Sequence, residues 1–332
     1  MAFGDATHGE WRFPPSSDEA ASYRPFLQGV LRFCLICAAL SIALSALDHE
    51  FPYIKSGAAL VLQKKRTIAA SQPLFDEAAQ LRVIAFGNSR TMAGFIPNLF
   101  DHEIGSFEQS FNLGLPGEDN FMHILEGALV AGTRPTHIFL QIPPIDPPTP
   151  GRWLDAFADD HTIVERLFPF RTLPRDAVLF LFEARQLGLK STYDDHETQI
   201  AQMIRDKGYF FIKSQSHYPN DQLPLDYALP TDTPTVPAMR RIDRESATFK
   251  RLMELAERHR FMIVFVPPVY RIGEYSPAQP LDLPTPADRV RFLGPPYYLY
   301  SPQMFADPVH LNPLGAAAYT RQLAAQFRQF QD

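Results

Sequence analysis

The stretch RVIAFGNSRT at residues 82–91 decides the fold class. Its first half is apolar and partly β-branched, and Gly87 ends the run, which is typical of a buried strand in a parallel sheet. Two similar runs occupy residues 136–142 and 261–266, and each is followed by a pair of prolines. The three runs therefore predict three inner strands of one sheet.

Helical patterns lie between and after these runs. Residues 244–260 and 313–330 have apolar side chains at helical spacing with polar side chains opposite. Alternating strands and helices predict an α/β sandwich with a parallel sheet. Residues 145–243 are rich in Pro, Phe and Asp and do not follow this alternation of strands and helices. They are predicted to form a large insertion, with helix around 175–208, that covers one end of the sheet.

Composition excludes several classes of protein. The 332 residues carry a formal net charge of −6, and the longest run of Lys and Arg has three residues, so nucleic acid is not an expected partner. Cys34 and Cys37 are the only cysteines, too few for a disulfide scaffold or a zinc module. The histidines are scattered without metal-ligand spacing. No metal site and no cofactor are predicted.

The N-terminal region carries a candidate membrane span. Residues 1–25 are polar and are predicted to be a flexible tail. Residues 26–47 contain a single charge, Arg32, and at about 1.5 Å per residue a helix of this length crosses a hydrocarbon core of about 30 Å. We interpret 26–47 as a transmembrane helix. A cleaved signal peptide and a buried core helix are the alternatives.

The region after the span is predicted to be a stalk, residues 48–80, that leads to a folded domain at 81–332. Basic residues flank the span on both sides. Arg12 and Arg24 precede it. Those that follow it are Lys55, Lys64, Lys65 and Arg66. More basic residues follow the span than precede it. Basic residues favour the cytoplasmic side, so this count argues against an exported C-terminal domain, although large domains translocate despite flanking charge.

A serine directly after the first strand is the first candidate for chemistry. Ser89 follows the strand within Gly87-Asn88-Ser89, and the carboxyl edge of a parallel sheet is where α/β proteins place their ligands. The N-terminus of the following helix would favour negative charge on an attacking oxygen. The alternative is that Ser89 only caps this helix.

An acidic residue and a histidine near the C-terminus form the second candidate. Asp307 precedes His310 by three residues, and Asn312 with Pro313 predicts the start of a helix. The carboxylate of Asp307 can orient the imidazole, which leaves the other ring nitrogen to accept a serine proton. The alternative is an Asp–Pro turn with a histidine on the surface.

Taken together, the two segments resemble the SGNH (GDSL-like) hydrolase superfamily. This family places its nucleophilic serine after the first strand and an Asp-x-x-His near the end of the chain, here Ser89, Asp307 and His310. Residues 111–119, FNLGLPGED, are similar to its second motif, in which the last glycine amide, here Gly117, donates to the oxyanion. The resemblance implies a flavodoxin-like three-layer sandwich with a parallel sheet, preceded by one transmembrane helix.

The chain departs from the family at the third motif, which supplies an asparagine to the oxyanion hole. The corresponding strand is followed by Gln141-Ile142-Pro143 and no asparagine. Gln141, Asn88 or another amide replaces it, or the activity is weak, or a partner protein is needed. Arg90 is either a group that steers an anionic substrate or a structural salt bridge.

The GNSRT motif and the N-terminal span look most like the membrane-anchored members that act in polysaccharide O-acetylation and in assembly of D-alanyl-lipoteichoic acid. This resemblance implies a serine-dependent O-acyltransferase, most simply an acetyltransferase, in the bacterial inner membrane with its domain in the periplasm. The implied partners are a polysaccharide substrate and a multi-pass membrane acyltransferase. An esterase and a non-catalytic scaffold that binds polysaccharide are the alternatives.

Overall fold

Helices and strands alternate in the computed structural model, which describes residues 17–55, 57–76, 78–105, 107–116, 121–141, 170, 172–211, 217–229, 243–274 and 289–331. The strands are β1 (Leu81–Phe86), β2 (Glu108–Asn112), β3 (His137–Leu140), β4 (Met262–Phe265), β5 (Val269–Arg271), β6 (Val290–Phe292) and β7 (Tyr298–Tyr300). The helices are α1 (Ser17–Glu50), α2 (Gly57–Ser71), α3 (Ser89–Gly94), α4 (Pro97–Ile104), α5 (Met122–Val130), α6 (Leu173–Leu187), α7 (Leu189–Arg205), α8 (Ala247–His259) and α9 (Pro313–Gln331).

Five of the strands form a single sheet in the order β2–β1–β3–β4–β6, and every neighbouring pair is parallel. β5 and β7 form a separate parallel pair. The three predicted strands are β1, β3 and β4, which occupy the inner positions of the sheet. The prediction of an α/β fold with a parallel sheet is therefore confirmed.

The edge strands β2 and β6 were not predicted from the sequence. β2 reads EQSFN and β6 only VRF, and neither forms a continuous apolar run. Ser110 and Asn112 of β2 are nevertheless fully buried. Buried polar side chains need hydrogen-bond partners, and those partners lie elsewhere in the chain.

Helices cover both faces of the sheet because side chains alternate along each inner strand. In β1, Ile84 and Phe86 pack into one core with side chains of α2, α5 and α8. Val83 and Ala85 point into the second core, which includes side chains of α4 and α9. Burial of each large apolar side chain contributes about 1.5–3 kcal/mol, so the two cores hold the sheet between two helical layers.

The N-terminal helix matches the predicted span. α1 begins at Ser17, within the segment predicted as a tail, and from Tyr23 to Glu50 it is long and apolar enough to cross a membrane. Its apolar side chains, such as Phe33 and Ile36, are exposed to the surroundings. Residues 1–16 of the predicted tail lie outside the described residues.

The segment predicted as a stalk, 48–80, is packed on the α/β body from Gly57 onward. Within it, α2 contacts α5, and its residues Leu60, Val61 and Ala69 are buried. These positions recur at helical spacing, so one face of α2 supplies apolar surface to the body. The sequence alone did not predict that α2 packs on the body, because α2 is short and carries three consecutive basic residues at 64–66.

Part of the predicted insertion, 145–243, is described. The helix predicted around 175–208 is a hairpin of two helices, α6 and α7, which packs on the turn Pro52–Ile54 and on α2. After α7, the carbonyl of Lys207 accepts a hydrogen bond of 2.8 Å from the amide of Asn112, at the carboxyl end of β2. Residues 145–169, 171, 212–216 and 230–242 of this prediction lie outside the described residues.

Candidate active site

Ser89 is the first residue of α3, three residues after the end of β1 and two after Gly87, which turns the chain. The side chain of Asn88 caps this helix, since its Oδ1 accepts a hydrogen bond of 3.0 Å from the amide of Arg90. Ser89 therefore does not serve as the cap, and its hydroxyl is free for another partner. The capping interpretation made for Ser89 applies to Asn88 instead.

Gly87 is required by the close approach of α3. Its φ is 155°, and a Cβ at this position would clash with the side chain of Thr91. Any larger residue would push α3 away from the end of β1. The glycine thus sets where Ser89 stands relative to the sheet.

Ser89, His310 and Asp307 form a hydrogen-bonded line. Nε2 of His310 lies 2.9 Å from Oγ of Ser89, and Nδ1 of His310 lies 2.7 Å from Oδ2 of Asp307. With an ionised Asp307, Nδ1 carries the ring proton and donates it, so Nε2 accepts from the serine hydroxyl. All three side chains are only partly buried, which leaves Ser89 accessible to a substrate.

Asp307 is held as a carboxylate. Burial acts to raise its pKa, but the hydrogen bond from the His310 ring and those from the amides of Val309 and His310 together lower the pKa below its ordinary value. Both amides lie 2.7 Å from Oδ1, so each carboxylate oxygen has a donor. Asp307 can therefore fix the ring of His310 and stabilise its protonated form.

The loop that carries Asp307 and His310 is tied to the start of α9. Oδ1 of Asn312 accepts a hydrogen bond of 2.9 Å from the amide of Gly315, which makes Asn312 the cap of α9 as predicted. Its Nδ2 donates to the carbonyls of Asp221 and Gln303 at 2.9 and 2.8 Å. This buried asparagine anchors one end of the His310 loop.

Asn112 secures the other side of α3. It is fully buried, and its Nδ2 donates to the carbonyls of Thr91, Met92 and Phe95 at 2.8, 3.2 and 2.7 Å. These carbonyls lie at the end of α3, where a helix leaves carbonyls without intrahelical partners, and only that of Thr91 also accepts from a local amide, that of Phe95. Asn112, which belongs to the second motif, thus fixes the helix whose first residue is Ser89.

The loop after β2 runs alongside the Ser89 segment. The amides of Leu113 and Leu115 donate to the carbonyls of Ala85 and Gly87, both at 2.8 Å. Gly117, the predicted oxyanion donor, lies outside the described residues. The described part of the loop, up to Pro116, leads toward it from beside Gly87.

Gln141 lies in a buried chain of hydrogen bonds and does not contact Ser89 in the described structure. Oγ1 of Thr91 donates to Oε1 of Gln141 at 2.7 Å, and Nε2 of Gln141 donates to the hydroxyl of Tyr319 at 2.8 Å. That hydroxyl donates in turn to the carbonyl of Pro267 at 2.8 Å. Gln141 thus fills a structural position, which makes it a poor replacement for the missing asparagine.

Arg90 has structural partners. Its Nη1 donates to the carbonyl of Val269 at 3.0 Å, its Nη2 lies 3.7 Å from Oε1 of Glu274, and its guanidinium stacks 4.9 Å from the centre of the Tyr270 ring. These contacts fasten α3 to the β5 region. They match the salt-bridge interpretation of Arg90.

Sequence reasoning missed Lys65, the lysine of α2 that is almost fully buried. Its Nζ donates a hydrogen bond of 2.6 Å to the carbonyl of Gly114, in the loop beside the Ser89 segment. Burial holds its pKa well below the ordinary value. The only signal of its burial in the sequence was its position, at helical spacing from the apolar residues Val61 and Ala69.

Comparison with known proteins finds no matching family model, no matching curated protein and no matching solved structure. Among the described residues, no group of three or more His, Cys, Asp or Glu side chains is placed to hold a metal ion. The geometry of Ser89, His310 and Asp307 is therefore the feature that indicates the chemistry of the site.

Proposed function

We propose that the protein is a membrane-anchored, SGNH-like O-acyltransferase that transfers an acyl group, most simply acetyl, to a cell-envelope or secreted polysaccharide. The observation that carries the proposal is the line from Oγ of Ser89 through His310 to Asp307. A hydroxyl that donates to an imidazole, which in turn donates to a carboxylate, is the arrangement of a serine nucleophile and its base.

The reaction would proceed in two steps. Oγ of Ser89 attacks the carbonyl carbon of the acyl donor while Nε2 of His310 accepts the hydroxyl proton. The tetrahedral intermediate then expels the donor oxygen, which takes that proton, and leaves an ester on Ser89. A sugar hydroxyl attacks this ester, again through His310, and the proton returns to Ser89 as the acylated sugar leaves.

The negative oxygen of the tetrahedral intermediate needs donors. Gln141 lies in the buried chain of hydrogen bonds, so we assign the role to backbone amides, with Nδ2 of Asn88, whose Oδ1 caps α3, as the side-chain alternative. Ser89 stands in the first turn of α3, where amides have no acceptor within the helix. Its amide, together with that of Gly117, is our candidate oxyanion hole.

The fold supports the family resemblance. Counting only strands of the main sheet, the order β2–β1–β3–β4–β6 corresponds to 2-1-3-4-5, the flavodoxin-like order. Ser89 follows the inner strand β1, at the carboxyl edge where such sheets bind ligands. We extend this to the SGNH assignment and to a periplasmic domain anchored in the inner membrane, which works with a multi-pass acyltransferase that supplies the acyl group.

The test uses the full chain in detergent micelles, as wild type and as Ser89→Ala. Each is incubated with p-nitrophenyl acetate and a panel of neutral and acidic oligosaccharides, and acetylated sugar is measured by mass spectrometry. Acetylated sugar from the wild type alone supports the transferase. Free acetate without acetylated sugar would make the protein an esterase. An absence of turnover by folded protein would contradict autonomous catalysis and favour the scaffold.

A further inference from the structure

The hairpin of α6 and α7 leaves an unusual apolar surface exposed. One stripe of α6 is buried, and it consists of Asp176, Phe180 and Ala184. Large apolar side chains lie on the opposite side and at the tip of the hairpin, with Phe182 the most exposed at 62 %. These exposed side chains, which we call the hairpin face, are Val178, Leu179, Leu181, Phe182, Leu187 and Leu189.

Basic residues lie at both ends of the hairpin face. Arg175, Val178, Phe182 and Arg185 are spaced by three and four residues and therefore share one side of α6. The two arginines stand in the first and last turns, and both are exposed, although Nη2 of Arg175 also pairs with Oδ1 of Asp176 at 3.2 Å. An apolar centre with cationic ends is the pattern of a helix that lies in the headgroup region of a bilayer.

The hairpin is fastened to the place where the chain leaves the candidate span. α6 and α7 both pack on the turn Pro52–Ile54, which begins two residues after α1 ends. Nδ1 of His196 lies 2.8 Å from the carbonyl oxygen of Tyr53, and the rings of Tyr53 and Tyr193 meet edge to face with 5.2 Å between their centres. Tyr53 is three residues beyond Glu50, so it lies at most about 11 Å from the end of α1.

Apolar exposure continues across the junction. Leu47 near the end of α1 and Phe51 immediately after it are each 48 % exposed. A span that ends in this region places the turn Pro52–Ile54 at the level of the headgroups, and the hairpin attached to that turn is then at the same level. The hairpin is thus attached where the apolar surface of α1 ends.

We propose that the hairpin face is a lipid-binding surface that enters the headgroup and upper acyl region of the bilayer in which α1 is anchored. Its Leu, Val and Phe side chains would bury into the boundary to a depth of about 5–10 Å, while Arg175 and Arg185 contact anionic headgroups. The surface fixes how the α/β body stands on the membrane. The inference depends on α1 spanning the membrane and is independent of the chemistry at Ser89.

The experiment places a fluorescent reporter on the hairpin face of the full chain. In a Cys34→Ala, Cys37→Ala background, Phe182→Cys is labelled with the dye NBD and reconstituted into nanodiscs of phosphatidylethanolamine and phosphatidylglycerol that each hold one protein. Val130→Cys is the matched control, because Val130 is also apolar and is 90 % exposed, at the end of α5. Quenching by lipid-attached nitroxides is compared with quenching by aqueous iodide.

The expected result is a ratio of lipid to aqueous quenching that is several-fold higher at position 182 than at position 130, with blue-shifted emission. Adding Leu181→Asp should lower the ratio at 182, with helical content by circular dichroism unchanged. Equal ratios at the two positions would overturn the proposal, as expected for a face that binds a partner protein or a second copy. Failure of the chain to remain with the nanodiscs would overturn it as well.

Discussion

Two lines of hydrogen bonds leave α3 from residues that are only two positions apart. The first runs from Ser89 to His310 and Asp307, and we call it the triad. The second runs from Thr91 to Gln141 and Tyr319, and we call it the buried chain. Residues two apart on a helix point about 200° apart, so one hydroxyl faces the surface and the other faces the core.

The difference between the two lines is the nature of the acceptor. The hydroxyl of Ser89 lies against an imidazole nitrogen, which can take a proton near neutral pH. The hydroxyl of Thr91 donates to an amide oxygen, which does not accept a proton in this range. On the proposed function, similar geometry therefore serves chemistry in the triad and only stability in the buried chain.

The largest expected contrast comes from removing each hydroxyl. Ser89→Ala should lower the rate of ester turnover by about 10⁴-fold or more, because the nucleophile is lost. Thr91→Val should change the rate per folded molecule by less than about tenfold and should instead destabilise the protein by about 1–3 kcal/mol, because Oε1 of Gln141 loses its donor. Initial rates and urea titrations in detergent micelles measure the two effects.

Asp307→Asn sharpens the comparison within the triad. The rate should fall by about 10³–10⁴-fold, since the amide no longer holds the ring of His310 in the reactive form. Because the pKa of Asp307 is lowered on folding, its contribution to stability is present above about pH 4 and is lost as the pH falls further. The difference in unfolding free energy between wild type and variant should therefore shrink below about pH 4. A difference that stays constant down to pH 2 would contradict an ionised Asp307.

Tyr319→Phe tests the buried chain at its far end. The change removes the acceptor for Gln141 and the donor to the carbonyl of Pro267, so the free energy of unfolding should fall by about 2–4 kcal/mol. Labelling of Ser89 by an acyl reagent should continue in the folded fraction. Loss of labelling with unchanged stability would show that the buried chain serves the chemistry.

Lys65→Met gives the smallest predicted effect, and it depends on pH. The buried amine of Lys65 has a lowered pKa, so the unfolded chain binds one more proton between that pKa and the ordinary value of about 10.4. The stability of the wild type relative to the variant should thus rise with pH in this window, by up to about 1.4 kcal/mol per unit. Urea titrations at a series of pH values measure the slope, and a flat difference would contradict a lowered pKa for Lys65.

The inner sheet and the triad could be predicted because their signals are local. β1, β3 and β4 are short apolar runs with breakers at their ends, and Asp307 and His310 stand three residues apart in one loop. The order of Ser89 and this loop along the chain then suggested that they meet. Their contact at 2.9 Å is consistent with that expectation.

The roles of Gln141 and Lys65 could not be predicted because their partners are distant in sequence. Gln141 bonds to a hydroxyl 178 residues away, and Lys65 bonds to a carbonyl 49 residues away. Nothing in the immediate sequence of either residue identifies these partners. The alternative interpretation of Ser89 as the cap of α3 was wrong for a related reason, since Asn88 and Ser89 are both good caps and only the backbone geometry distinguishes them.

The most direct test of the account is covalent labelling of the full-length protein with a fluorophosphonate, followed by peptide mapping. We predict one labelled serine, Ser89, in the wild type, with labelling greatly reduced in His310→Ala and retained in Thr91→Val. Labelling of another serine, or equal labelling of wild type and His310→Ala, would contradict the central claim that His310 activates Ser89.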